Sequence, residues 1–236
     1  MTRSPSQNLL LASLAKDDLA ALGSHLRPIE LKQGAVLYNV GDTMDRVYFV
    51  DTGIISLVVP LASGQMIETG MVGRDSLAGG ATALDGRIAL NKAIVQIAGT
   101  GSWVEATRLR RLADTSATFR TAVIRHEQLI LIQAQQSAAC NASHGVEARL
   151  ARWLLRSRDL LGADNLKFTQ EFLGQMLGVR RSSVSIVATA LQKEGLISYR
   201  RGRIQIVDLE GLRKRSCECY GAVKAHSKRL LGRASA

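Results

Sequence analysis

Aromatic residues are scarce in this chain, at 4% of 236 residues. Its cores must therefore be built mainly from Leu, Ile, Val and Ala. Proline is rarer still, with 3 residues, and no low-complexity tract stands out, which excludes long disordered stretches away from the two ends. The 3 cysteines are an odd and sparse count. They exclude a disulfide framework and fit a reducing compartment. No stretch approaches the roughly 20 apolar residues that a membrane span needs. Arg3 followed by Leu9-Leu10-Leu11-Ala12 faintly resembles an export signal, but the run ends at Lys16-Asp17-Asp18 and no small-residue cleavage site follows. The expectation is a cytoplasmic protein with no membrane partner. Catalytic patterns are missing too: there is no paired-carboxylate motif, no P-loop and no Ser/His/Asp set, so an enzyme is not expected.

Acidic charge is short in one half only. Residues 1–138 hold 13 Lys/Arg and 12 Asp/Glu, whereas residues 139–236 hold 18 Lys/Arg and 8 Asp/Glu. Nearly all of the net +11 therefore lies in the second half. A neutral half joined to a strongly basic one is the balance expected when one domain meets phosphate and the other does not. An anionic membrane surface is the competing partner. The length and an apolar fraction of 46% suit two packed cores.

Leu14, Leu19, Leu22 and Leu26 recur at helical spacing and predict a short amphipathic helix over Ser13 to Leu26. From Ile29 to Glu105 the period changes to short strands between glycine turns: Ile29–Leu31, Val36–Tyr38, Val47–Val50, Ile54–Val59, Gln65–Met71, Ala93–Ile97 and Trp103–Glu105. Many short strands at this spacing predict a β-sandwich or barrel. Helical periodicity returns from about Arg108 to Ala139, where Leu109, Leu112, Phe119, Val123, Leu129 and Ile132 supply an apolar stripe. A helix of that length often packs against its twin in a dimer. A further helix is expected from about Gly145 to Leu161, with Leu150, Trp153 and Leu154 inward.

Thr169 to Leu191 carries the sharpest local pattern. Thr169 can cap a helix, with Gln170 and Glu171 in its first turn and Phe168 stapled to Leu173. Gly174 is small where two helices must cross, and Gly178 stands where the first helix ends. Val184, Val187, Ala188 and Leu191 then mark the buried face of a second helix. This is a helix-turn-helix, and it leaves Arg180, Arg181, Ser182, Ser183 and Ser185 at the start of the helix that enters the DNA major groove. Arginine reads guanine with two hydrogen bonds, and serine contacts bases or phosphates. Two strands come next, around the tip Arg200-Arg201-Gly202-Arg203. A hairpin with three arginines at its tip reads as a wing lying along the DNA backbone.

The chain resembles the Crp–Fnr family, the catabolite-activator and fumarate-nitrate-reduction regulators. In the first half the resemblance rests on Gly34, Gly41 and Val47-Tyr48-Phe49-Val50-Asp51-Thr52-Gly53. In the second it rests on Gly145-Val146-Glu147-Ala148-Arg149-Leu150-Ala151-Arg152-Trp153-Leu154-Leu155, the helix-turn-helix and the wing. It implies an α+β protein with an N-terminal β-jelly-roll sensor domain over residues 1–107, a long dimerisation helix over 108–139, and a C-terminal winged helix-turn-helix domain over 140–236. It also implies a homodimer on two DNA half-sites of a palindromic operator, with RNA polymerase a candidate partner.

The chain departs from the family pattern at its ligand and DNA-reading positions. Members that bind cyclic AMP carry a Gly-Glu pair and, some ten residues later, an Arg-Ser pair. The matching stretches here, Gly73–Gly80 and Gly86–Asn91, hold neither, which argues against a cyclic nucleotide although Arg87 is nearby. With no cysteine before Cys140, an N-terminal iron–sulfur cluster is excluded. Haem needs an axial ligand on the sensor side, and His25 and His126, the histidines there, lie in no supporting pattern. Arg181 matches the family's guanine-reading arginine, but Ser182 stands where a glutamate is usual and Ile186 where a second arginine is common, so a different DNA sequence is expected. The effector is left unidentified, and a constitutive DNA-binding protein with a vestigial sensor domain is the alternative.

Cys140 and His144 share a helix face at metal-ligand spacing, but two ligands do not make a site, and no metal or cofactor is expected. Cys217 and Cys219 fall on an expected final helix, where residues two apart diverge. A metal shared between them would need a bend in the backbone or ligands from another chain. Arg213, Lys214 and Arg215 could lower a thiol pKa there. The basic tail, Lys224, Lys228, Arg229 and Arg233, either adds phosphate contacts or is solvated.

Overall fold

The computed structural model describes residues 7–231, so Arg3 and Arg233 lie outside the described residues. A 3-10 turn at Leu11–Ser13 leads into α1 (Lys16–Gly23), followed by β1 (Arg27–Leu31), β2 (Val36–Tyr38), β3 (Arg46–Val50), β4 (Ile54–Pro60), β5 (Met66–Val72) and β6 (Leu77–Ala78). A second 3-10 turn, Gly80–Leu84, precedes β7 (Lys92–Ile97) and β8 (Gly99–Glu105). Next come α2 (Ala106–Thr115), α3 (Ala117–Ser143), α4 (Val146–Leu161), β9 (Asn165–Lys167), α5 (Gln170–Leu177) and α6 (Arg181–Lys193). The described chain ends with β10 (Ile197–Arg200), β11 (Arg203–Ile206), α7 (Leu209–Arg215) and α8 (Cys219–Leu231). By packing it forms two units, one of residues up to Leu57 with Met71–Leu131, the other of Val58–Gly70 with the residues from Ile132 onward.

Strands β1 to β8 form two four-stranded sheets, ordered β1-β8-β3-β6 and β2-β7-β4-β5. This is the expected sandwich, and its core is as poor in aromatics as the composition requires. Leu31, Tyr38, Met44, Tyr48, Val50, Ile55, Leu57, Val72 and Val95 fill it. Asn8 anchors the start of the chain. Its amide donates to the carbonyls of Val50 and Ser76, both at 2.8 Å, and its Oδ1 accepts from the Leu11 amide at 3.0 Å. The first helix is shorter than expected, because Ser13 belongs to the preceding 3-10 turn; of the leucine stripe only Leu22 is fully buried.

The helix expected over 108–139 is two helices. Ser116 is extended (φ −119°, ψ 111°) and its Oγ accepts from the Phe119 amide at 3.2 Å, capping α3. Thr115 turns its hydroxyl back to the Arg111 carbonyl at 3.0 Å. Adjacent hydroxyl side chains compete with the helical ladder, and here they end one helix and start the next. α3 then runs to Ser143, past Cys140.

In the second unit α4 is central. Leu150, Ala151, Trp153, Leu154 and Leu155 are buried on it, and α5, α6, α7 and α8 all pack against it. Strands β10, β11 and β9 form a three-stranded antiparallel sheet. β9 is an addition to the expected hairpin. Its signal is the alternation in which Leu166 and Phe168 are buried while Lys167 is exposed.

Candidate nucleic-acid interface

Thr169 caps α5 as its residue type suggests: its Oγ1 accepts from the Phe172 amide at 3.2 Å. Phe168 packs on Phe172 (ring centroids 5.9 Å apart) and against the edge of Trp153 (4.5 Å), with Leu173 fully buried beside them in the chain. At the other end of α5, Gly178 adopts the left-handed conformation, φ +64°, which costs glycine little. Gly174 lies under the turn, where a Cβ would come within 2.9 Å of the Val179 carbonyl oxygen. A further support has no local sequence signal. Buried Arg149, on α4, donates from Nη2 to the carbonyl of Leu177, the last residue of α5. It thereby satisfies a carbonyl at the negative end of the helix dipole.

These contacts fix how α6 is presented. Val184, Ala188 and Leu191 are buried, and Val187 is half-buried. The opposite side begins with exposed Arg180, Arg181 and Ser182, followed by half-buried Ser183 and Ser185. Ile186 lies on the outer face with 72% of its surface exposed.

The wing closes with Arg200 paired to Arg203, leaving Arg201 and Gly202 as the two-residue turn. Both have positive φ, +48° and +74°, the requirement of the hairpin turn whose twist matches the flanking strands. The wing is tied to the helices. The Tyr199 amide donates to Gln192 Oε1 at 2.7 Å, and its hydroxyl donates to the Phe168 carbonyl at 3.4 Å. Gly202 faces Thr169, since a Cβ there would lie 3.8 Å from Thr169 Cγ2. The wing tip and exposed Thr169, with Gln170 after it, thus lie together.

Several basic residues of this unit are held in ion pairs. Arg213 pairs with Glu210, Arg215 with Glu147 (3.5 Å) and Glu194 (2.7 Å), Arg158 with Asp164 (2.5 Å) and Lys224 with Asp159 (3.2 Å). Among the described residues, Arg180, Arg181, Arg200, Arg201 and Arg203 form no ion pair. These five arginines lie at the start of α6 and on the wing.

Two residues weighed for the sensor side have clear places. Arg87 lies on the surface, 3.0 Å from Asp85. His126 is fully buried with both ring nitrogens engaged: Nε2 accepts from the Leu77 amide at 3.2 Å, and Nδ1 lies 3.0 Å from Glu127 Oε1. In the same unit a cavity of about 380 Å³ is lined by Arg46, Thr82, Arg87, Trp103 and Arg110 among others.

The cysteines depart most from expectation. Cys217 precedes α8 rather than lying on it, and the bend between α7 and α8 brings it together with Cys219, Cys140 and His144. Arg213 and Arg215 are engaged with carboxylates and do not activate a thiol. Burial, and then the sulfurs of Cys140 and Cys219, push the Cys217 thiol up to about 12, the opposite of the lowering that nearby cations suggested.

Residues 148–215 match the Crp-like helix-turn-helix domain family. The chain is 27% identical over 196 residues to the transcriptional regulatory protein btr of Bordetella pertussis, an alignment that covers 79% of each chain. Among solved structures, FixK2 from Bradyrhizobium japonicum superposes with a TM-score of 0.71 at 17% identity, over 81% of this chain and 98% of its own. A transcriptional regulator of the CRP/FNR family from Thermus thermophilus superposes with a TM-score of 0.65 at 23% identity, over 80% and 98%. At these identities the solved structures speak for the fold.

Proposed function

We propose that this chain, which carries a Crp-like helix-turn-helix domain on the fold of Crp/Fnr-family regulators, is a DNA-binding transcription regulator that acts as a homodimer on a two-fold symmetric DNA site. The observation that carries the reading is the set of unpaired arginines at the exposed start of α6 and on the wing, with Thr169 beside the wing turn. α6 enters the major groove, where Arg181 reads guanine and Ile186 meets a thymine methyl group. Arg200, Arg201 and Arg203 lie along phosphates and add affinity without sequence choice.

Homodimerisation has its own support. On α3, Thr121, Ile124, Gln128, Leu131, Gln135 and Ala138 are all exposed and all uncharged. Their spacing alternates 3, 4, 3, 4, 3, the seam of a two-stranded coiled coil. Leu131 is 56% exposed and Ile124 40%, an apolar line that a second α3 covers.

The β-unit takes an effector that alters DNA affinity, with the cavity walled by Arg46, Arg87 and Arg110 as the place for it. Selection from a pool of randomised duplexes at two salt concentrations tests the reading. A palindrome with half-sites about one helical turn, 10–10.5 base pairs, apart is the expected result. Binding that depends on salt and not on sequence would overturn it. Equal affinity in every ligand and redox state would remove the effector and leave a constitutive regulator.

A further inference from the structure

All three cysteines of the chain and one histidine converge in the C-terminal unit. Cys140 lies in the last turn of α3 and His144 just past its end, Cys217 lies in the bend between α7 and α8, and Cys219 opens α8. Their four donor atoms lie within 4.8 Å of one another. We propose that Cys140, His144, Cys217 and Cys219 form a closed, tetrahedral Cys3His site for a single zinc ion, which ties the end of α3 to the last two helices of the DNA-binding unit.

Distances carry the first part of the argument. Zinc bound at about 2.3 Å to sulfur and about 2.0–2.1 Å to imidazole sets tetrahedral ligands about 3.8 Å apart sulfur to sulfur and about 3.6 Å sulfur to nitrogen. Cys140 Sγ is 3.5 Å from Cys217 Sγ, and Cys219 Sγ is 3.6 Å from His144 Nδ1. The widest separation, 4.8 Å, exceeds the ideal edge by about 1 Å. A disulfide would need about 2.05 Å between sulfurs, so Cys140 and Cys217 are not bonded to each other. An iron–sulfur cluster spreads its ligands over several irons, whereas four donors gathered this closely fit one ion. Soft thiolates at tetrahedral positions select zinc over the hard cations.

Outer partners carry the second part. His144 Nε2 lies 3.1 Å from Glu218 Oε1. That bond holds the ring proton on Nε2 and turns the lone pair of Nδ1 toward the sulfurs, the carboxylate–histidine–metal arrangement of zinc sites. Gln136 Nε2 donates to Cys219 Sγ at 3.0 Å, which stabilises a thiolate. Charge agrees as well. Zinc displaces three thiol protons, and the site carries net −1. The Nε–H groups of Arg149 and Arg152 are buried with no acceptor, and both guanidiniums act on Cys140. A thiolate site supplies this buried positive charge with a counter-ion. Simple packing of cysteines as small apolar groups accounts for neither the histidine nor its carboxylate.

Three sulfurs and a nitrogen leave no open position, so the site is structural. Metal content of the purified full-length chain, measured by mass spectrometry, is expected to be one zinc per chain. Cobalt(II) added to chelated protein should give the intense visible bands of a tetrahedral thiolate site. Chelation should lower Tm by about 5 °C or more. Because Cys140→Ser or Cys219→Ser could fail to fold for want of packing, Glu218→Gln is the second variant. Its carboxylate is exposed, and its loss should weaken zinc binding about 10- to 100-fold against a chromophoric chelator with the metal-free Tm unchanged. Three thiols that react at the same rate with and without added zinc would overturn the proposal. So would a Cys140–Cys217 disulfide, or iron with labile sulfide in place of zinc.

Discussion

Ser76 Oγ lies 2.6 Å from Nε2 of His126, inside the N-terminal unit. The same nitrogen accepts the Leu77 amide, so one buried imidazole joins α3 to the strand β6. His126→Leu is expected to strand the Leu77 amide and the Ser76 hydroxyl, destabilising the fold by about 1–3 kcal/mol in urea titrations. An unchanged midpoint would show that water satisfies both groups.

Arg181 and Arg201 have different tasks, and titration against DNA separates them. Arg181→Ala should cost about 1–3 kcal/mol on the selected site and relax preference at one base pair. Arg201→Ala should weaken all sequences alike and reduce the salt slope by about 1. The same pattern for both variants would refute the division of labour.

Arg201 is also a conformational misfit, at φ +48° without being glycine. Arg201→Asn restores the Asn-Gly pair that this hairpin turn favours. The variant should melt at a higher temperature, by about 0.5–1 kcal/mol of added stability, while binding DNA less well. Opposite signs in stability and affinity would mark a functional residue held in place against its backbone preference.

The turn of the helix-turn-helix is equally open to test. Gly174→Ala brings a methyl group within 2.9 Å of the Val179 carbonyl and should cost about 1–3 kcal/mol, as overpacking does. Thr169→Ala removes the α5 cap and should cost about 1 kcal/mol. Differential scanning calorimetry reads both. A loss for Thr169→Ala larger than for Gly174→Ala would contradict the close crossing.

Leu131→Glu places a charge in the middle of the uncharged seam of α3. Sedimentation should find monomer where the parent chain is dimer, and DNA affinity should fall with it, because one helix-turn-helix then reads one half-site. A dimer that survives the substitution would move the interface elsewhere.

Much of this architecture is written in local patterns. The β-sandwich shows as short strands separated by glycine turns, and the helix-turn-helix shows as a cap, a glycine and an apolar phase within one continuous segment. Thr169, Gly174, Gly178, Val184 and Leu191 act on neighbours a few residues away, so their roles follow from the chain alone. The arginine tip of the wing is local for the same reason, and so is the charge imbalance between the halves. The break at Ser116 was legible only faintly, because Thr115 and Ser116 are compatible with either a continuing or an ending helix.

What only tertiary structure decided lies between residues far apart in sequence. Arg149 capping Leu177, and the sorting of arginines into paired and unpaired, depend on which carboxylates and carbonyls folding brings near. The meeting of Cys140 and His144 with Cys217 and Cys219 depends on a bend that no periodicity announces. Helical spacing sets two cysteines two apart on diverging faces. Packing of α7 and α8 on α4 opens the helix between them and turns both sulfurs to one point. Local propensities act over a turn or two of helix, whereas such a site is set by long-range burial, which sums over the whole chain.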